Sequence, residues 1–220
     1  MINLNRKLKI VAFGDSLTQG NAIGGEFENW TDIVSRECNV EVVNSGIGGN
    51  TTTMARKRFE EDVLKHNPDV VFINFGMNDH LLDGDGNRYT ELGDFESNIC
   101  FFIDEINKIG GEAVIVTPNY FIEGNTEEYY YSRHVEKDHI EYGGALALFD
   151  QYTEKLREIA EHKKIALIDV RKECEKYNPY EFLRTLKSCN ANDGVHPGRV
   201  GVRVYADLIG DYIKNHNFNL

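Results

Sequence analysis

The stretch Lys9-Ile10-Val11-Ala12-Phe13-Gly14-Asp15-Ser16-Leu17-Thr18-Gln19-Gly20 decides how the rest of the chain is read. Ile10 to Phe13 is an apolar, β-rich run, the length of one buried strand. It stops abruptly at Gly14-Asp15-Ser16, where glycine's conformational freedom allows a sharp turn. In open α/β sheets, ligands bind in the crevice beyond the carboxyl ends of the strands. Ser16 therefore stands where a reactive hydroxyl is useful. Asp15 or Ser16 is equally well placed simply to cap the next helix.

Working outward, the same kind of run recurs. Leu8–Phe13, Val40–Asn44, Val70–Phe75, Ala113–Thr117 and Ile165–Val170 are dominated by Val, Ile or Phe with little polar alternation. Such runs suit a parallel sheet covered on both faces. The segments between them carry helical spacing. Trp30, Ile33 and Val34 share a face after Asn29, a plausible cap, and Phe59, Val63 and Leu64 share one before Pro68. Phe95, Ile99, Phe102, Ile103 and Ile106 form a stripe that ends at Gly110-Gly111. Leu146, Phe149, Leu156, Ile159 and Ala160 form another, and Val200, Val204, Leu208 and Ile213 a last one. Strands alternating with helices predict right-handed crossovers. The expected fold is a three-layer α/β/α sandwich with a five-stranded parallel sheet, flavodoxin-like in its winding. No repeat or linker divides the chain, so residues 1–220 are expected to form one domain, with insertions at about 80–93 and 119–144.

Composition narrows the function. The chain has 220 residues, 41% hydrophobic and 27% charged, with a formal net charge of -12. That acidity argues against nucleic acid or an anionic membrane as a partner, because both call for clustered Lys and Arg. Arg56-Lys57-Arg58 is followed at once by Glu60, Glu61 and Asp62 and reads as a solvated helix face. The apolar stretch near the start ends after Phe13, too short for a signal-peptide core or a membrane span. The expectation is a cytoplasmic protein. Cys38, Cys100, Cys174 and Cys189 form no C-x-x-C pair, so reduced thiols are expected rather than a zinc knuckle or redox motif.

Two stretches depart from the strand–helix rhythm. Asp83, Asp85 and Asn87 alternate, with Asp94 at the twelfth place, but Arg88 stands where a calcium loop needs glycine. A solvated loop is the better reading. Asn119–Gly144 is rich in Tyr and charge, with Tyr120, Tyr129, Tyr130, Tyr131, His134, His139 and Tyr142. It follows the fourth strand and so reads as a lid or pocket wall over the edge that carries Ser16, or as an insertion packing its own aromatics. His134 and His139 lack the spacing of two ligands on one helix face. His162 and His216 read as solvated.

Three further stretches carry polar residues at or after strands. Asn44-Ser45-Gly46-Ile47-Gly48-Gly49-Asn50-Thr51 lets backbone approach a ligand closely before a helix start. It lacks the G-x-G-x-x-G dinucleotide spacing. Gly76-Met77-Asn78-Asp79 places an amide that can donate to an oxyanion, or simply makes a turn. Asp193-Gly194-Val195-His196-Pro197 offers a general base and the carboxylate that orients it.

Taken in order, these four blocks resemble the SGNH hydrolases, also called GDSL esterases and lipases. Gly14-Asp15-Ser16-Leu17 is similar to the first block, and Asn44–Thr51 to the second, with Gly49 at its glycine. Gly76–Asp79 and Asp193–Pro197 are similar to the third and last. Asn50 stands where many relatives have Asp. The resemblance implies Ser16, Asp193 and His196 as catalytic residues, with the Ser16 and Gly49 N–H groups and the Asn78 amide as oxyanion donors. It implies no metal and no organic cofactor. The expected activity is hydrolysis of small acyl esters such as acetylated carbohydrates. The alternatives are a lysophospholipase or thioesterase on longer chains, and a non-catalytic carbohydrate- or lipid-binding protein. The expected partner is a small-molecule ester; oligomeric state is not legible.

Overall fold

The five apolar runs become five parallel strands in the order β2-β1-β3-β4-β5. The computed structural model describes residues 6–20, 27–134 and 139–218. The strands are β1 (Lys9–Gly14), β2 (Glu41–Gly46), β3 (Val70–Asn74), β4 (Glu112–Val116) and β5 (Ala166–Ile168). The helices that matter for the site are α1 (Ser16–Gln19), α2 (Trp30–Cys38), α3 (Thr52–Asp62), α4 (Leu92–Lys108), α5 (Ala145–Lys163) and α6 (Arg199–Asn215).

Side chains alternate across a strand, so each run feeds two cores. Ile10, Ala12, Val70, Phe72, Val114 and Val116 pack with Trp30, Ile33 and Val34 of α2 and Val202, Tyr205 and Ile209 of α6. Val11, Phe13, Val71, Ile73, Ala113 and Ile115 pack with Phe59 of α3, Phe95, Ile99 and Phe102 of α4, and Tyr152 and Leu156 of α5. Both faces of β1, β3 and β4 are dry, which is why those strands read as continuous apolar runs, while the edge strands β2 and β5 are only partly covered. Phe13 meets Phe59, Phe75 and Phe102 edge-on at centroid distances of 5.5, 5.0 and 5.3 Å, a favoured aromatic geometry.

The expected sandwich is what forms. β1 has β2 on one side and β3 on the other, so the winding reverses at β1 and opens a crevice beyond the carboxyl ends of β1 and β3. Register brings those ends level, with Gly14 opposite both Gly46 and Asn74.

The structure changes the reason for Gly14. Its backbone is not left-handed. The site is crowded instead: a Cβ there would lie 2.1 Å from Thr18 Oγ1 and 2.7 Å from the Asn74 carbonyl oxygen. Asn29 does cap α2, its Oδ1 accepting from the Trp30 N–H at 2.7 Å. His216 is not simply solvated, since its Nε2 bonds Glu112 at 3.0 Å and its ring stacks on Tyr212. The four cysteines are free thiols. Asp83 accepts N–H bonds from Asp85 and Asn87, both at 2.9 Å, so the calcium-like stretch is a self-bonded turn.

Candidate active site

β1 delivers Asp15 and Ser16 to the crevice at the start of α1. Asp15 caps that helix, its Oδ1 accepting from the Leu17 N–H at 2.9 Å. Asp15 thus takes the capping role, which leaves the Ser16 hydroxyl for another use. Ser16 lines a cavity with Leu17, Gly20, Asn29, Arg184, His196, Pro197 and Val202. A residue from each end of the chain thus meets over one rim of the sheet.

His196 is held by Asp193. Its Nδ1 donates to Asp193 Oδ2 at 2.8 Å and Oδ1 at 3.0 Å, which fixes the Nδ1–H tautomer and leaves Nε2 with its lone pair. Asp193 Oδ1 also accepts from the N–H groups of Val195 and His196 at 3.0 and 2.9 Å. Burial alone would push the Asp193 carboxyl up; the bond from His196 and these backbone bonds outweigh it and hold the carboxyl below its ordinary value. Asp193 is ionised and buried, while the His196 side chain is 21% exposed toward the cavity.

The Asp193–His196 loop is anchored from two sides. Arg184 N–H donates to the His196 carbonyl at 2.8 Å and Gly194 N–H to the Arg184 carbonyl at 2.9 Å. From the Tyr-rich segment, Ile122 N–H reaches the Gly194 carbonyl, Tyr130 N–H the Asp193 carbonyl and Asn119 Nδ2 the Val195 carbonyl, at 2.9, 3.0 and 2.9 Å. The described part of residues 119–144 therefore both packs its own aromatics and braces the histidine loop. Residues 135–138 of that segment lie outside the described residues. Gly194 has φ +76°, and a Cβ there would come within 2.8 Å of Glu128 Cβ.

The second block lies against Ser16, and the third is bonded to the first two. Gly48 N–H donates to Gln19 Oε1 at 2.9 Å, and a Cβ on Gly48 would lie 3.8 Å from Ser16 Cβ. Gly49 follows in this exposed turn with φ +75°. Asn78 Nδ2 donates to the Asn50 carbonyl at 3.1 Å and to Asp15 Oδ2 at 3.3 Å. The third block is thereby tied to the first two.

A buried acid pair lies beneath. Burial pushes the Asp15 carboxyl up to about 7, with the Leu17 N–H pulling down and Asp79 pushing up. Burial pushes Asp79 up to about 6, against the pull of Thr52. Thr52 donates its N–H and its hydroxyl to Asp79 Oδ1 at 2.8 and 2.6 Å.

Two features escaped the sequence. Arg58, read as solvated, has a side chain only 15% exposed and bonds Asn50, Gly14 and Ser45. Arg56 likewise is occupied, donating to Asn98 Oδ1 and lying over Phe101. A charged residue that follows apolar Ala55 and precedes apolar Phe59 on a helix gives that signal only when the helix face is known. His80 is fully buried, with its Nε2 3.5 Å from His134 Nε2. Burial holds His80 well below its ordinary value and His134 at about 4. A cavity of about 290 Å³ opens beside His134 and His139, lined also by Glu123, Tyr131 and Ala145. Among the described residues, no group of three or more His, Cys, Asp or Glu is arranged to hold a metal ion. No described helix is long and apolar enough to cross a membrane.

Known proteins share this sequence and this fold. The model of the GDSL-like Lipase/Acylhydrolase family matches residues 12–204. The chain is 33% identical over 168 residues to an uncharacterized lipoprotein, YqeF, of Bacillus subtilis, spanning 73% of this chain and 69% of that one. It is 30% identical over 175 residues to an acetylxylan esterase of Geobacillus stearothermophilus, spanning 77% of this chain and 70% of that one. Among solved structures, a lipase/acylhydrolase from Enterococcus faecalis superposes with a TM-score of 0.73 at 25% identity, covering 97% of this chain and 99% of the other. The chain belongs to the GDSL-like lipase/acylhydrolase family of carboxylic ester hydrolases.

Proposed function

We propose that this protein hydrolyses small acyl esters through a serine triad, and that its substrates are acetylated carbohydrates. In this reading Ser16 Oγ attacks the ester carbonyl. His196 Nε2 takes the hydroxyl proton and later passes it to the leaving alcohol. Asp193 keeps the imidazole in its tautomer and stabilises the cation that forms. Water then attacks the acyl-serine by the same route, with His196 again as base. The observation that carries the reading is the shared cavity of Ser16 and an Asp193-bound His196.

The oxyanion is assigned to the N–H groups of Ser16 and Gly49 and to the Asn78 amide. Both amide hydrogens of Asn78 are engaged in the free protein. The longer bond, to Asp15 at 3.3 Å, is the one it gives up to meet the developing charge. Losing one such donor costs about 10²–10³ in rate. Asn78→Ala should therefore slow turnover far more than it weakens binding.

The substrate class is supported by the relative described as an acetylxylan esterase. Activity on nitrophenyl esters of increasing acyl length tests it, with Ser16→Ala alongside. The expected result is a peak at acetyl and no activity in Ser16→Ala. A peak at eight carbons or more points to a lysophospholipase or thioesterase. Activity retained in Ser16→Ala removes Ser16 from the nucleophile role. A folded wild-type protein without activity on any ester points to a binding protein.

A further inference from the structure

We propose that Arg58 is a positioning residue for the oxyanion loop, closing a ring of hydrogen bonds that joins the first three blocks; this rests on the serine-hydrolase reading. From the inner side of α3, Arg58 Nε donates to Asn50 Oδ1 at 2.9 Å. Nη1 donates to the Ser45 carbonyl at 2.9 Å and to Asp62 Oδ2 at 2.6 Å. Nη2 donates to the Gly14 carbonyl at 3.0 Å. The guanidinium lies 4.7 Å from the Phe13 ring centroid, so its plane is set by packing as well as by bonds.

The contacts form a circuit. Gly14 leads along the chain to Asp15, whose Oδ2 accepts from Asn78. Asn78 donates to the Asn50 carbonyl. Asn50 Oδ1 accepts from Arg58, and Arg58 returns to the Gly14 carbonyl. Two of its hydrogen bonds cross between blocks, the other two run to Arg58, and Arg58 is the one member of the ring from outside the blocks. The turn it holds carries Gly49, and that turn is exposed and open, with nothing within 4 Å of where a Gly49 Cβ would be. Its middle is held by the Ile47 and Gly48 N–H groups on the Gly14 carbonyl and Gln19 Oε1, and its two ends, at Ser45 and Asn50, are both gripped by Arg58. Asp62 balances the charge, so the geometry of the fork is the part that matters.

A lysine keeps the charge and the pairing with Asp62 but cannot donate to three separated acceptors from one plane. Arg58→Lys should lower kcat about 10- to 100-fold, below the full loss of an oxyanion donor, with KM within about threefold of wild type. Asn50→Asp keeps the acceptor for Nε and should retain kcat within about threefold, whereas Asn50→Ala should fall with Arg58→Lys. The double variant Arg58→Lys with Asn50→Ala should be no worse than the poorer single one, because the two act through one contact. A purely structural role predicts a lower Tm with kcat unchanged at 25 °C, and that result overturns the inference. Additive losses in the double variant overturn it too. Ser16→Ala run in parallel separates the two ideas. If it is inactive while Arg58→Lys turns over normally, only the Arg58 role falls; if it is as active as wild type, the serine reading falls and takes the Arg58 role with it.

Discussion

Asp15 is fully buried, and its carboxyl sits at about 7 in the folded protein against an ordinary 3.8. Replacing it with Asn removes the ionisation and keeps an oxygen for the Leu17 N–H. Between these two values the folded protein holds a proton that the unfolded chain has released. Stability from this group is thus fully present below 3.8, falls as pH rises, and is gone above about 7. The difference, at about 1.36 kcal/mol per pH unit, amounts to about 4 kcal/mol. Buried His80 and His134 oppose this trend, because their charged forms are disfavoured in the fold. Their contribution cancels when the variant is compared with wild type at each pH. The stability of Asp15→Asn relative to wild type should therefore climb by about 4 kcal/mol from pH 4 to pH 8. The assay is urea unfolding followed by fluorescence of Trp30, the single tryptophan, which is 1% exposed. A relative stability that stays flat from pH 4 to pH 8 would refute the argument that Asp15 is held protonated by burial.

Asp193→Asn should leave the loop's backbone in place yet lower kcat about 10⁴-fold, because the amide favours the wrong tautomer of His196; a steady-state assay with a nitrophenyl acetate checks it, and a loss under tenfold counts against the triad. Gly194→Ala meets both a left-handed backbone and the Glu128 side chain, so it should destabilise by about 1–3 kcal/mol in urea unfolding. It should also reduce kcat, since the strain falls on the loop carrying His196.

Much of the fold was legible because a parallel sheet buried on both faces writes itself as unbroken apolar runs. Val70–Phe75 and Ala113–Thr117 could be little else, and β3 (Val70–Asn74) and β4 (Glu112–Val116) match them to within one residue at each end. The strand-end positions of Ser16 and Asn78 followed from the same pattern, as did the Asp-x-x-His loop from its spacing. What was hidden depends on tertiary approach. Gly14 looked like a turn glycine and is a packing glycine, because Thr18 folds back over it. Arg58 looked solvated because its neighbours in sequence are charged, while its partners Gly14 and Asn50 are 44 and 8 residues away. His80 carried no local signal at all; its burial depends on Phe121 and Phe149, which arrive from other elements.

The claim at the centre is that Ser16 is a nucleophile activated by His196. Treating the folded protein with a fluorophosphonate and locating the adduct by peptide mass analysis asks this directly. The account predicts one adduct, on Ser16, formed rapidly in wild type and at least 100-fold more slowly in His196→Ala, as expected for loss of a general base. Folded wild-type protein that takes no label, or takes it elsewhere, contradicts it.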